Sequence, residues 1–233
     1  IPVADAIIED ETGYYVFKCT VPVKDMDTEI TAQIVLADGR KGSEVTYTVK
    51  KYIDYMLKND EEYADEVELV TAMSDFGNYA ATYFADETVG ETPELPELSE
   101  LSEEDLAYLE NQQAVISEDT KNIYFGSSLL LKSDTILRHY FTKEVEIEGY
   151  EVKTKGDLYY IETEGIPAHE LGDKIETTVV VGGEEITISY SPLSYAYIAL
   201  NREGVDENLA SLMHAMYLYH QAAQDYRQPT TNN

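Results

Sequence analysis

The chain has 233 residues, 43% of them hydrophobic, with 16 basic against 46 acidic residues and a formal net charge of -30. Such a field repels phosphate backbones and anionic lipid, which excludes nucleic acid and direct membrane insertion, and no apolar run reaches the ~18 residues of a membrane span. A single cysteine, Cys19, excludes an intramolecular disulfide and fits a reducing cytoplasm or the surface of a Gram-positive anaerobe.

Taken in order, Tyr14 to Thr20 alternates as a strand and Val21-Pro22 to Asp27 reads as a turn. Thr28 to Leu36 alternates again, with Ile30, Ala32 and Ile34 on one face. Ala37-Asp38-Gly39 predicts a tight hairpin turn, and Ser43 to Thr48 the return strand. The period then turns helical, because Val49, Tyr52, Ile53, Met56 and Leu57 form one stripe. Lys58-Asn59-Asp60 breaks it, and a second helix is expected from about Glu61 to Phe84. Ala85 to Ser102, rich in proline and glutamate, predicts an irregular and exposed linker. Ser102-Glu103-Glu104-Asp105 then caps a short helix, Leu106 to Gln113. Ser127 to Leu131 and Thr135 to Phe141 predict a hairpin, and Glu144 to Lys153 a further strand pair. From Tyr159 the opening pattern returns, with Gly182-Gly183 as its hairpin turn and Pro192 in a first helical turn.

That return is a repeat. Tyr14-Tyr15 falls on Tyr159-Tyr160, Pro22 on Pro167 and Ile30 on Ile175, all at an offset of 145 residues. After a loop shorter by two, Tyr47 meets Tyr190, Tyr52 meets Tyr195, Leu69 meets Leu212 and Tyr83 meets Tyr226 at an offset of 143. A fixed offset held through strand and helix patterns predicts a tandem duplication. The expected fold class is α+β, each copy a small antiparallel, sandwich-like sheet followed by a helical hairpin. The first repeat covers 1–84, the linker 85–121, the second repeat 122–228, and 229–233 begins another linker. Only the second copy has the hairpin of Ser127 to Phe141, so the first is expected to lack its N-terminal hairpin and the chain to be a trimmed piece.

Catalytic chemistry finds little footing. His214 and His220 are six apart on a helix and point away from one another, while His139 alternates within an apolar strand, so the histidines read as structural. Cys19 lacks a neighbouring base and reads as a core cysteine. The acidic clusters at Asp60-Glu61-Glu62 and Ser102 to Asp105 lack calcium-loop spacing and suit helix N-termini. No cofactor or metal is expected. The repeated tyrosines, Tyr47, Tyr52 and Tyr83 with their partners, read as packing residues with hydroxyls at the surface. The non-repeated Tyr108, Tyr124, Tyr150 and Tyr217 are the candidates for exposed ligand contacts.

The segments GYYVFKCTVPVKDMDTEITAQIVLADG, YTVKKYIDYML, GSSLLLKSDTILRHYF and YSPLSYAYIAL, in this order, resemble a duplicated module found in secreted or wall-associated proteins of gut and rumen clostridia, relatives of Ruminococcus and Eubacterium. The resemblance implies an extracellular or cell-wall location and other modules of the same polypeptide as partners. It transfers no functional residue. The function expected is therefore a non-catalytic spacer, adhesion or interaction module that meets a glycan or surface protein. The alternative is a carbohydrate-binding module using tyrosine faces.

Overall fold

The computed structural model describes residues 7–8, 13–85, 92–97, 123–181 and 184–227. The fold is α+β, with antiparallel sheets and, among the described residues, four α-helices. In the N-terminal half, β1 (Ile7–Ile8) pairs with β2 (Tyr15–Val16), and β3 (Ile30–Val35) pairs with β4 (Lys41–Tyr47). Helices α1 (Val49–Lys58) and α2 (Val67–Ala85) follow. In the C-terminal half, β5 (Tyr124–Leu131), β6 (Thr135–Phe141), β7 (Lys153–Lys155) and β8 (Leu158–Glu162) form a sheet in the order β5-β6-β8-β7. A second ribbon, β9 (Ile175–Val181) with β10 (Glu184–Tyr190), precedes α3 (Pro192–Asn201) and α4 (Glu207–Arg227).

Local chemistry sets these boundaries. The β3–β4 turn holds Gly39 at φ 84°, a region glycine enters without a Cβ penalty. The Asp38 carboxylate accepts from the Arg40 amide at 3.1 Å and from its guanidinium at 2.8 Å. Thr48 caps α1 by accepting from the Lys51 amide at 2.9 Å. Ser191 and Ser194 form a reciprocal, fully buried cap on α3, and Pro192 sits where a missing N–H costs nothing.

The main core lies in the C-terminal half. Leu137, His139 and Phe141 of β6 and Ile161 of β8 face Val179 and Ile188 of the second ribbon, all fully buried. The His139 and Tyr190 rings meet edge to face at 5.9 Å, so sheet and ribbon pack as two layers. Helix α2 brings the N-terminal half into this core. Phe76 stacks on Tyr219 of α4 at 5.6 Å, and Ala80 has no exposed surface. A smaller cluster, Ile53, Met56 and Val70, joins α1 to α2.

Several expectations need correction. The strand read over Tyr14 to Thr20 is only Tyr15–Val16, and Cys19 is exposed instead of buried in a core. Tyr47 and Tyr52 are likewise about half exposed: among the described residues no second layer covers the β3–β4 ribbon that carries Tyr47, and Tyr52 stands on an exposed side of α1. Helix α2 starts at Val67, later than Glu61, since the Asn59 carbonyl draws in the Glu62 and Tyr63 amides and turns the chain first. Glu144 to Lys153 is not a strand pair. Gly149 turns at φ 84°, Glu146 makes an isolated bridge to Val180, and Lys153 already belongs to β7. The segment 92–97 is irregular, as expected, yet its Leu95 packs on the main core. The short helix 106–113, the Gly182-Gly183 turn and the terminal linker at 229–233 lie outside the described residues.

Candidate functional site

The outer face of the four-stranded sheet carries a ladder of polar side chains. Strand register places Arg138 opposite Glu162 and Tyr140 opposite Tyr160. The Arg138 Nε donates to Glu162 Oε1 at 2.7 Å, and Lys153 Nζ donates to the other carboxylate oxygen. Those hydrogen bonds, the one from Lys153 first, hold the Glu162 carboxyl below the usual glutamate range against the opposing effect of partial burial. The Arg138 guanidinium also lies over the Tyr160 ring, 5.3 Å from its centre. Tyr140 leans on Tyr160 at 5.5 Å and accepts from Ser128 Oγ at 3.2 Å. Beside this ladder opens a cleft of about 560 Å³, lined by Tyr150, Glu151, Lys153, Glu162, Glu170 and Asp173 among others. It is acidic, with one lysine at its edge and Ile166 and Ile175 supplying apolar wall.

A second cleft, of about 530 Å³, runs between α2 and α4. Glu68, Asp75 and Asp225 give it acidic walls, and Leu95 with Pro96 crosses it as a strap. Tyr79 of α2 donates its hydroxyl to the Pro93 carbonyl at 2.6 Å, and His214 of α4 donates from Nε2 to the Pro96 carbonyl at 2.8 Å. Burial raises the Asp75 carboxyl above its ordinary range.

The third notable place is internal. His139 has no exposed surface, and burial lowers its pKa to about 4, so the ring is neutral at pH 7. Its Nδ1 meets the Tyr124 hydroxyl at 3.2 Å, while Nε2 has no hydrogen-bond partner among the described residues. His220 donates from Nδ1 to the Ala168 carbonyl at 2.7 Å, which fixes its neutral tautomer.

The four tyrosines singled out from the sequence fall in different environments. Tyr217 is buried in the main core and presents no face to a ligand. Tyr124 is largely enclosed between His139 and Phe141, and burial pushes its hydroxyl pKa well up. Tyr150 is half-buried and lines the sheet-side cleft. Tyr108 lies outside the described residues. The Arg138–Glu162–Lys153 ladder escaped sequence reading because it depends on the register of three strands, which alternation within a single strand does not fix. The only signal available was the alternation in TILRHYF, which sets Arg138 on the face opposite Leu137 and His139.

Among the described residues, no three side chains of histidine, cysteine or carboxylate type are gathered as metal ligands, and no helix is long and apolar enough to cross a membrane. Compared with known proteins, the chain matches no protein-family model, no curated protein and no solved structure.

Proposed function

We propose that this chain is a non-catalytic contact module of an extracellular or wall-associated bacterial protein, built on a duplicated scaffold. The observation that carries the reading is the correspondence of element boundaries between the halves. Strands β3 and β9 begin at Ile30 and Ile175, the sequence offset of 145. Strands β4 and β10, and helices α1 and α3, begin and end 143 residues apart. Even the short 3-10 turns, Val23–Asp25 and Ala168–Glu170, keep the first offset. What recurs is scaffold. The ionisable groups with chemical potential, Arg138, Lys153, Glu162 and His220, are tied to one another or to backbone carbonyls. Such a molecule acts through its surface, toward other modules, a surface protein or a glycan.

A carbohydrate-binding reading has one specific observation in its favour, the cleft where Tyr150 stands beside Lys153 and several carboxylates. Tyrosine platforms with flanking hydrogen-bonding groups suit sugars, with affinities from micromolar to millimolar, roughly 4–8 kcal/mol. A polysaccharide panel read for both binding and reducing-sugar release decides between these readings and an enzyme. The contact-module proposal expects neither sugar release nor tight glycan binding. Binding that Tyr150→Ala removes would favour the carbohydrate reading, and sugar release lost on changing one carboxylate would make the protein a hydrolase.

A further inference from the structure

Glycine follows aspartate once in this chain, at Asp38-Gly39, and follows asparagine nowhere. Such a pair is open to a reaction of its own backbone. The amide nitrogen after an aspartate can attack the side-chain carboxyl carbon and close a five-membered succinimide ring. A side chain on that next residue hinders the approach, and glycine has none. The pair forms the tip between β3 and β4, where Gly39 stands at φ 84° and a Cβ placed on it would meet nothing within 4 Å. Water reaches the tip freely, since 55% of the Asp38 side chain and 76% of the Arg40 side chain are exposed. The corresponding turn of the second copy, Gly182-Gly183, carries no aspartate.

The folded turn engages both reacting groups elsewhere. Gly39 donates its N–H to the Leu36 carbonyl at 2.9 Å, so the attacking nitrogen is tied by its proton. The target carboxyl is held at both oxygens, Oδ1 by the Arg40 amide at 3.1 Å and Oδ2 by the Arg40 Nε at 2.8 Å. Those bonds, the amide's first, hold the carboxyl below the usual aspartate range and keep it ionised. A carboxylate is a poor electrophile, because its oxygen departs as water only after protonation. The Leu36 amide donates in turn to the Arg40 carbonyl at 2.8 Å, which closes the tip from the opposite strand.

We propose that Asp38-Gly39 is a backbone-modification site, at which aspartate isomerises to isoaspartate, and that Arg40 holds this site shut in the folded ribbon. When the clamp opens, the Gly39 nitrogen bonds to Asp38 Cγ. One carboxyl oxygen departs as water, carrying the amide proton and the proton of the acid form. Water then reopens the ring at either carbonyl. Attack at the carbon that came from the side chain restores aspartate. Attack at the former main-chain carbon leaves the chain running through the side chain, as isoaspartate. One water is lost and one regained, so the mass is unchanged and neither oxidant nor cofactor takes part. The main chain gains one carbon, which lengthens the tip between Leu36 and Arg40.

The test ages the intact chain, its Arg40→Ala and Arg40→Lys variants and a peptide of residues 34–43 together in warm neutral buffer. Isoaspartate at position 38 is read by peptide mapping with electron-transfer fragmentation, and Asp38→Glu serves as the blank. The unfolded peptide lacks every hydrogen bond of the turn and should react about tenfold faster than the folded chain, or more. An exposed ion pair is worth little, so Arg40→Ala should raise the rate about two- to fivefold. Arg40→Lys keeps a cation beside the carboxylate and should raise it less. Equal rates in peptide and folded chain overturn the proposal, as does a peptide that forms no isoaspartate. An Arg40→Ala chain that reacts no faster than the parent overturns it too. Hydrogen exchange at the Leu36 and Gly39 amides separates clamp from ribbon. If Arg40→Ala speeds that exchange as much as it speeds isomerisation, the ribbon alone is the protection and the proposal falls.

Discussion

His139 sits between the two layers with its ring neutral, and the chain keeps it so at the expense of acid stability. Burial lowers its pKa to about 4, whereas an unfolded histidine titrates near 6.5. The unfolded chain therefore binds the extra proton between those values. The contribution to stability is complete above pH 6.5 and is lost as pH falls toward 4, a change of about 3 kcal/mol. Burial also lowers the pKa of His220, partly offset by its bond to the Ala168 carbonyl, so it acts in the same direction. Glu162, held low by Lys153 and Arg138, loses its contribution only at still lower pH, while Asp75, raised by burial, works in the opposite sense. Urea unfolding at a series of pH values should show stability falling from pH 6.5 to 4. His139→Leu should flatten that slope, and an unchanged slope would remove His139 as its cause.

At the scale of elements, caps and straps carry measurable energy. Ser191→Ala removes the buried hydroxyl that accepts from the Ser194 amide, leaving the Ser191 amide still bonded to Ser194 Oγ, and should cost about 1–2 kcal/mol. The strap at 92–97 separates two effects. Pro93 and Pro96 are exposed and contribute through their carbonyls, which alanine retains, so replacing them should change stability by well under about 1 kcal/mol. Leu95 is half-buried against the core, and Leu95→Ala should cost about 1 kcal/mol or somewhat more in the same denaturation assay. The sequence made the ribbon turn at Asp38-Gly39, the stripe of α1 and the strands at Ser127 and Thr135 legible, because local periodicity and turn chemistry decide them. It could not reveal the anchoring of Leu95, since a lone leucine among glutamates and prolines carries no period. It also hid the exposure of Cys19, Tyr47 and Tyr52. Alternation tells which face of a strand is apolar, but a covering layer comes from residues far along the chain. For the same reason Tyr217 read as an open contact and lies in the core.

Across the whole molecule, α2 against α4 is the joint through which the halves share one core. Phe76, stacked on Tyr219 and nearly fully buried, is central to it. Phe76→Ala should cost about 3–5 kcal/mol. With Val23, Phe76 and Ala80 continuous with the C-terminal core, unfolding should remain one transition, coincident by far-ultraviolet circular dichroism and by tyrosine absorbance. Two separate transitions would show that the halves are energetically independent. The strap across this joint gives the molecule a mechanical property as well. Its carbonyls are bound by Tyr79 on one helix and His214 on the other, so it closes over the seam like a clasp. A pull that parts the helices loads the clasp at the same instant, and seam and clasp give way in a single rupture.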